Sequence, residues 1–516
     1  MDTQFDTVIV GAGAAGLLMA TRLAEAGQNV AVLEAGPERK LNDLVSSQIW
    51  ARKLKWADTS VAEAGNHAIG HAFNSGSGTG GSAVHHYGVW LRLRENDFSV
   101  ASDHGVGLDW PIDYDTLRPH YDRVQREIGI SGDAEAEIGR PPGDPYPLPP
   151  LPVFSQGRVL QKGFEKAGLT AMPVPMAINS QPYQGRRACL YDGWCDAGCP
   201  IGALANPLAV WLPRAQAAGI TLLHNAKVVR VLRSSTKQSR ITGVDYLSGG
   251  ETHTIKARDI VIAAFTVQST RILLNSKTDS LPAPGNREDQ LGRYLTTHPA
   301  ATVFGLFEEE TLPHQGVTGG QLLCHDHYAE KDQGDAFGSS QWIIANAIKP
   351  NDLLGYGTSR PDIRGPALKP WLERAARHLG NMTLVTEDIA QADNRITLSE
   401  NRDADGVPGV STIHNLRPET IALWERRVKE GKKLFELAGA DEVWNGPRAP
   451  MHIMGGTVMG NDESASVTDH MGRVHDTDNL YVAGPSLFPS TGAVNPTFTL
   501  SALASRQADH LIRKYS

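Results

Sequence analysis

The 516-residue sequence predicts an α/β chain, α+β taken as a whole, with a Rossmann-like domain built from separated stretches and a second domain with an antiparallel sheet. Three observations predict it. In the opening stretch, an apolar run at 8–10, a G-x-G-x-x-G turn (Gly11, Gly13, Gly16), a helical pattern through Leu17, Leu18, Leu23 and Ala24, and a second apolar run at 30–33 lead to Glu34. Short apolar runs return at 221–232, 241–246 and 259–264, followed by a helical stretch at 268–275, and read as a continuation of the first domain. Between 299 and 445 the pattern changes: 302–307, 341–348, 381–387 and 395–398 read as strands of an antiparallel sheet, and 418–437 as a long helix.

Each part of the opening stretch has a physical role. Gly11 permits the tight turn, Gly13 lets a pyrophosphate approach the backbone, and Gly16 lets helix and strand pack closely. Ala14 and Ala15 lie at the helix N-terminus, whose free N–H groups and positive dipole end suit phosphates. Glu34, followed by Ala35, is placed to accept hydrogen bonds from ribose hydroxyls, and its charge argues against a 2′-phosphate there. The stretch predicts a dinucleotide without choosing between FAD and NAD.

Five glycines between 76 and 88 suggest backbone passing close to a flat or charged ligand, anchored by apolar and aromatic residues from Val84 to Leu93. Residues 110–129 read as a turn into an amphipathic helix, with Asp113 as N-cap and Leu117, Tyr121, Val124 and Ile128 on one face. Pro119 is expected to kink that helix or restart it. The proline-rich stretch 141–152 marks a connection, and 157–168 another helix. Cys189, Cys195 and Cys199 then fall within eleven residues, ahead of a helical reading over 203–218, while Cys324 stands apart. Three soft thiolate ligands in one loop suit an iron–sulfur cluster, best a [3Fe–4S] centre; buried small residues and a structural zinc site are the alternatives. Near the C-terminus, His452 is followed by Gly455, Gly456 and Gly460, and Asn495-Pro496-Thr497 precedes a final helix over 500–515.

Hydrophobic residues at 41% and charged residues at 21% are ordinary for a globular chain able to bury a sizeable core. A formal charge of −8 without a sustained basic run argues against a nucleic-acid partner. No apolar run of about 18 residues offers a membrane span. The N-terminus lacks the basic and apolar regions of a signal peptide, so export is expected to need a partner that carries the signal.

Together the opening fingerprint, Gly80-Gly81-Ser82 with His85, the segment 263–275, and His452 with Asn495-Pro496-Thr497 resemble the glucose–methanol–choline (GMC) family of FAD-dependent oxidoreductases over most of the chain. The C-x5-C-x3-C spacing and the phrase His-Ile-Met-Gly-Gly-Thr-Val-Met-Gly are similar to the catalytic subunits of bacterial FAD glucose, glucoside and gluconate dehydrogenases. The resemblance implies a discontinuous FAD domain with a doubly wound sheet at 1–150, 189–298 and 445–516. A connection at 151–188 and a substrate domain at 299–444, with a large antiparallel sheet backed by helices, complete it.

The same resemblance implies that His452 is the catalytic base, taking the hydroxyl proton of a sugar, glycoside or alcohol while hydride passes to flavin N5, and that Asn495 holds the substrate oxygen. FAD contacts are implied for Gly11, Gly13, Ala14, Ala15, Gly16, Glu34, Ala35, Gly80, Gly81, Ser82, His85, Ala264, Gly484, Pro496 and Thr497, with Val228 meeting the adenine through backbone. His85 matches a position where some members link the flavin covalently; a non-covalent flavin is expected here. His86 and His298 read as structural histidines, and Trp342, Gln321 and Asn346 as sugar contacts. A small signal-bearing subunit and a cytochrome c acceptor are the implied partners, placing the enzyme at the periplasmic face of the inner membrane; without them a cytoplasmic location is expected. An O2-using oxidase without a cluster and a non-redox FAD lyase are the alternative activities.

Overall fold

The computed structural model describes residues 4–56, 58 and 60–515. Strand Gln4–Val10 pairs in parallel with Val30–Leu33 on one side and Glu251–Ile262 on the other, which puts its apolar run at the centre of a sheet. Thr221–Leu223 extends that sheet in parallel beyond Val30–Leu33. Glu251–Ile262 joins the separated pieces. Its second half lies between Gln4–Val10 and Leu480–Val482, and its first half pairs antiparallel with Ile241–Ser248, which in turn pairs with Lys227–Arg233. Helix Ala14–Glu25 packs against the final helix Thr497–Arg513, so the two ends of the chain cover the same part of the sheet.

The second sheet runs Glu442–Asn445, Thr296–Leu306, Leu379–Thr386, Ser340–Ile344, Leu322–Cys324, Met172–Pro173, antiparallel throughout, with Ala449–Met454 also paired to Thr296–Leu306. Helices Ser155–Lys166 and Pro418–Ala438 back it over a core that includes Phe164, Phe307, Trp342 and Phe435. Among the described residues, no helix is long and apolar enough to cross a membrane.

Several expectations shift. Strand Arg395–Arg402 is not part of the large sheet: it pairs with Pro408–Ile413, which pairs in parallel with Val61–Ala64 to make a separate three-stranded sheet. The boundary at 445 falls within the second sheet, because Ala449–Met454 still pairs with Thr296–Leu306, and the chain rejoins the first sheet only at Leu480–Val482. The run 221–232 is two strands, broken at Asn225 (φ +51°), where the turn donates backbone hydrogen bonds to the carbonyls of Gly36 and Glu34. The helical stretch 203–218 is two short helices, Pro207–Val210 and Leu212–Ala217, since Pro213 has no N–H to return to the preceding turn. Pro119, by contrast, does not interrupt helix Tyr114–Ile128. It forgoes one backbone bond while Leu117, Tyr121, Val124 and Ile128 are buried along one face, and Asp113 caps the start by accepting from the Thr116 N–H at 2.8 Å.

Candidate active site

A cavity of about 490 Å3 is lined from both sheets. One end is formed by the first glycine turn. Gly11 sits at φ +102°, and a side chain there would meet the Ala263 carbonyl at 2.5 Å; at Gly16 a Cβ would lie 2.0 Å from the Gly11 carbonyl. Gly13 faces open space, so a phosphate has access to its backbone. The second glycine loop lies on the first: the Gly80 N–H donates to the Ala12 carbonyl at 2.8 Å, and a Cβ on Gly81 would stand 3.2 Å from Gly13 Cα. Ser82 Oγ accepts from the Gly76 N–H at 3.0 Å and holds that loop closed.

Glu34 has a second role that its position after the strand does not announce. Its carboxylate accepts backbone N–H bonds from Ala12, Gly36 and Gly78, each at 2.9 Å, and so ties three loops together. A carboxylate offers about four lone-pair sites, which leaves one for a ribose hydroxyl. Gly11, Gly13, Ala14, Ala15, Glu34, Ala35, Gly81, Ser82, His85, Val228, Ala264, Gly484, Pro496 and Thr497 all line the cavity; Gly16 and Gly80 do not, and shape it from behind. His85 also lines it, with Nε2 buried and without a hydrogen-bond partner; burial, then the Lys55 charge, lowers its pKa to about 3. Open space at Gly13, a free acceptor site on Glu34 and a partnerless nitrogen on His85 fit a dinucleotide laid along this wall. His86 bonds Ala205 O through Nε2 and accepts from the Gly88 N–H through Nδ1, a loop-holding role as read from sequence.

The other end of the cavity carries His452 and Asn495. His452 sits at φ +60° where the pairing of Ala449–Met454 slips register between Met451 and Met454. A left-handed φ at a residue other than glycine is strained by about 1–3 kcal/mol, and here the irregularity delivers the ring to the cavity wall. Its Nδ1 lies 2.8 Å from Nδ1 of His298, whose Nε2 lies 3.0 Å from the Gly492 carbonyl. The carbonyl only accepts, so His298 carries its proton on Nε2 and accepts at Nδ1. His452 must therefore donate from Nδ1, which leaves Nε2 unprotonated and an acceptor. That nitrogen lies 3.3 Å from Asn495 Nδ2. Burial, and then the neighbouring His298, holds the His452 pKa well below 6.5; burial lowers His298 to about 4. Both rings are neutral, and the lone pair is available as a proton acceptor. His298, read from sequence as structural, is thus the group that sets the tautomer of His452; the sequence around it carries no signal of that role.

Two expected sugar contacts lie elsewhere. Trp342 is buried in the core behind the second sheet against Gly431, and Gln321 bonds the Phe154 N–H and the Gln315 carbonyl. Asn346 does line the cavity, with its amide bonded to the Thr318 carbonyl and to Thr383 Oγ1.

The expected centre at Cys189, Cys195 and Cys199 is not shown by the placement of these side chains. Among the described residues, no group of three His, Cys, Asp or Glu side chains is arranged to hold a metal ion. Cys189, Cys195 and Cys199 are free thiols; burial pushes Cys189 up to about 11 and raises the other two as well.

A family model described as GMC oxidoreductase matches the chain in two parts, residues 5–300 and 390–504. The fructose dehydrogenase large subunit of Gluconobacter japonicus is 29% identical over 98% of this chain and 97% of its own. The 2-methyl-1,2-propanediol dehydrogenase of Mycolicibacterium austroafricanum is 28% identical over 99% of this chain and 96% of its own. The gluconate 2-dehydrogenase flavoprotein of Pantoea cypripedii is 25% identical over 99% and 94%. Among solved structures, pyridoxine 4-oxidase from Mesorbium loti superposes with a TM-score of 0.69 over 99% of both chains at 17% identity, a likeness of fold.

Proposed function

This chain belongs to the GMC oxidoreductase family and is an FAD oxidoreductase acting on CH–OH donors; from that premise we propose that it dehydrogenates a sugar or glycoside with His452 as base and Asn495 as oxygen-holder. The observation that carries this reading is the unprotonated Nε2 of a neutral His452, whose lone pair meets only the 3.3 Å approach of the Asn495 amide inside the cavity that the glycine turn opens. Bound FAD supplies the two-electron acceptor. The chain supplies the rest. His452 Nε2 takes the hydroxyl proton as the C–H bond gives up its electron pair, and the second N–H of the Asn495 amide holds the substrate oxygen as negative charge develops on it. The backbone at Gly13, the carboxylate of Glu34, and Pro496 with Thr497 at the start of the last helix are the surfaces that bind and orient the cofactor.

The sugar preference is supported by the relatives' names, and an artificial acceptor replaces the unidentified one in the test. Anaerobic mixing with fructose, gluconate, simple glycosides and 2-methyl-1,2-propanediol should bleach the flavin with at least the sugar class. No bleaching by any of them overturns the reading, and faster turnover with O2 than with dye makes the enzyme an oxidase. The likeness to a large subunit supports a partner subunit; the signal-bearing subunit and cytochrome c acceptor are implied by the family resemblance, and co-purification from the native host tests them. No electron-transfer step is routed through Cys189, Cys195 and Cys199; iron and acid-labile sulfide in anaerobically purified protein would reverse that.

A further inference from the structure

Beyond His452 and Asn495, a line of polar groups runs along the second sheet and ends at those two residues. Arg94 Nη2 lies 2.9 Å from His325 Nδ1, and His325 Nε2 lies 2.9 Å from Gln341 Oε1. Gln341 Nε2 lies 3.2 Å from Asn495 Oδ1, and Asn495 Nδ2 is 3.3 Å from His452 Nε2. The line continues from His452 to His298 and stops at the Gly492 carbonyl. Its members come from beside the turn Glu95–Asp97, from the residue after strand Leu322–Cys324, from strands Ser340–Ile344, Ala449–Met454 and Thr296–Leu306, and from the loop before the last helix.

The two ends of this line are chemically fixed. A guanidinium can only donate and a backbone carbonyl can only accept. Between them, each neutral imidazole and each amide has one donating and one accepting end along the line. Every link must then point the same way, from Arg94 toward Gly492. Turning over any one group sets donor against donor or acceptor against acceptor at a neighbour. His325, Gln341 and His298 are buried, so water cannot mend such a mismatch. Burial, then the Arg94 charge, keeps His325 neutral by lowering its pKa to about 3.

We propose that Gln341, oriented by His325 and Arg94, is a positioning residue that keeps the Asn495 amide from turning over during the reaction. The inference rests on the reading of His452 as base. Before proton transfer, His298 alone already dictates that Asn495 donates to His452. Once the substrate hydroxyl proton has moved to His452 Nε2, that nitrogen becomes a donor facing the donor Nδ2 of Asn495. Rotation of the amide would relieve the conflict, but it would also turn Oδ1 toward the substrate oxygen and withdraw the N–H that stabilises it. Gln341 opposes the rotation, because its Nε2 needs Oδ1 as acceptor and its Oε1 is already held by His325. The surrounding backbone is held from the same side. Arg94 stacks on Tyr328 at 4.4 Å, and the Tyr328 hydroxyl donates to Asp97 at 2.8 Å and accepts from the Ala493 N–H at 3.1 Å, two residues before Asn495.

Two measurements on the full-length, FAD-loaded protein test this. Long-range proton–nitrogen correlation spectra of the histidine rings should show the proton on Nδ1 of His452 and on Nε2 of both His298 and His325, with single-histidine substitutions giving the assignments. A proton on Nδ1 of His325 overturns the proposal, and this readout needs no turnover, so it also stands if the wild-type flavin is reduced by no donor and the base reading itself fails. In stopped-flow reduction, Gln341→Met should lower the limiting rate about 100-fold, the scale of a mispositioned catalytic group, while half-saturation by substrate and FAD content stay as in the parent. An unchanged limiting rate, or a loss that falls equally on rate and half-saturation, overturns it. If Gln341→Met does not fold, the ring spectra of the parent protein decide alone.

Discussion

At the glycine end of the cavity the working surface is backbone from residues 11–16 and 76–82, tied by the one carboxylate of Glu34. At the histidine end it is side chains brought by separate strands and loops, each meaningful only through its neighbour. The glycine end works because side chains are missing and the backbone can come close. The histidine end works because donors and acceptors are ordered along a line.

The largest expected effect separates the two ends. His452→Ala should lower the limiting rate of flavin reduction about 1,000-fold, about 4 kcal/mol of barrier, with FAD still bound. Stopped-flow reduction alongside the flavin-to-protein absorbance ratio measures both. Loss of FAD together with activity would join the two ends and break the comparison.

Next in size is the reverse experiment. Gly16→Val puts a branched side chain where even a Cβ lies 2.0 Å from the Gly11 carbonyl. Overpacking there should cost about 3 kcal/mol of stability and release FAD, with the histidine end untouched in sequence. Thermal unfolding and FAD retention on gel filtration check it. Near-normal FAD retention would mean that helix Ala14–Glu25 can shift away from the strand, and that volume is not what limits this end.

The same division explains what the sequence discloses. The glycine end is written in contiguous residues, each glycine doing a local job, so strand, turn, helix and acid can be read directly. Glu34 is foreseeable as an acceptor, but its three backbone partners include Gly78, 44 residues away, and that contact exists only after folding. His298 and His452 are 154 residues apart, as are Gln341 and Asn495. Nothing local distinguishes His298 from a buried histidine bonded to backbone, and Gln341 reads as an ordinary strand residue. The cysteines show a related limit of local pattern: their spacing suggests a shared ligand, yet among the described residues no three such side chains converge on a metal position.

A smaller effect is expected at His298 itself. His298→Phe keeps an aromatic ring but removes the acceptor that holds the proton on His452 Nδ1. The His452 tautomer is then set only from the Asn495 side, and the limiting reduction rate should fall about 30-fold, about 2 kcal/mol, in the range seen when an orienting partner is removed. Stopped-flow reduction of the FAD-loaded variant measures it. An unchanged rate would mean that the Asn495 side suffices to fix the ring.

The last effect is on acid stability, and it too belongs to the histidine end. Burial lowers His298 to about 4 and His325 to about 3, against an unfolded value of about 6.5. For a depressed pKa the unfolded chain binds the extra proton first. The associated stability is therefore fully present above pH 6.5 and is lost as pH falls toward the folded value, at about 1.4 kcal/mol per pH unit for each such ring. His414 works in the opposite sense: burial lowers its pKa, but Asp388 at 2.8 Å outweighs that and raises it, so its contribution is present at low pH and lost as pH rises through the raised value. Urea unfolding at pH 7.5 and pH 5 should show a steep loss toward acid. In His298→Phe that loss should be shallower by about 1.4 kcal/mol per pH unit between pH 6.5 and about 4, since one neutral buried ring is gone. An equal acid slope in the variant would mean that His298 is protonated in the folded protein. The Gly492 carbonyl would then no longer fix its tautomer, and the ordering of the histidine end would have to start from Arg94 alone.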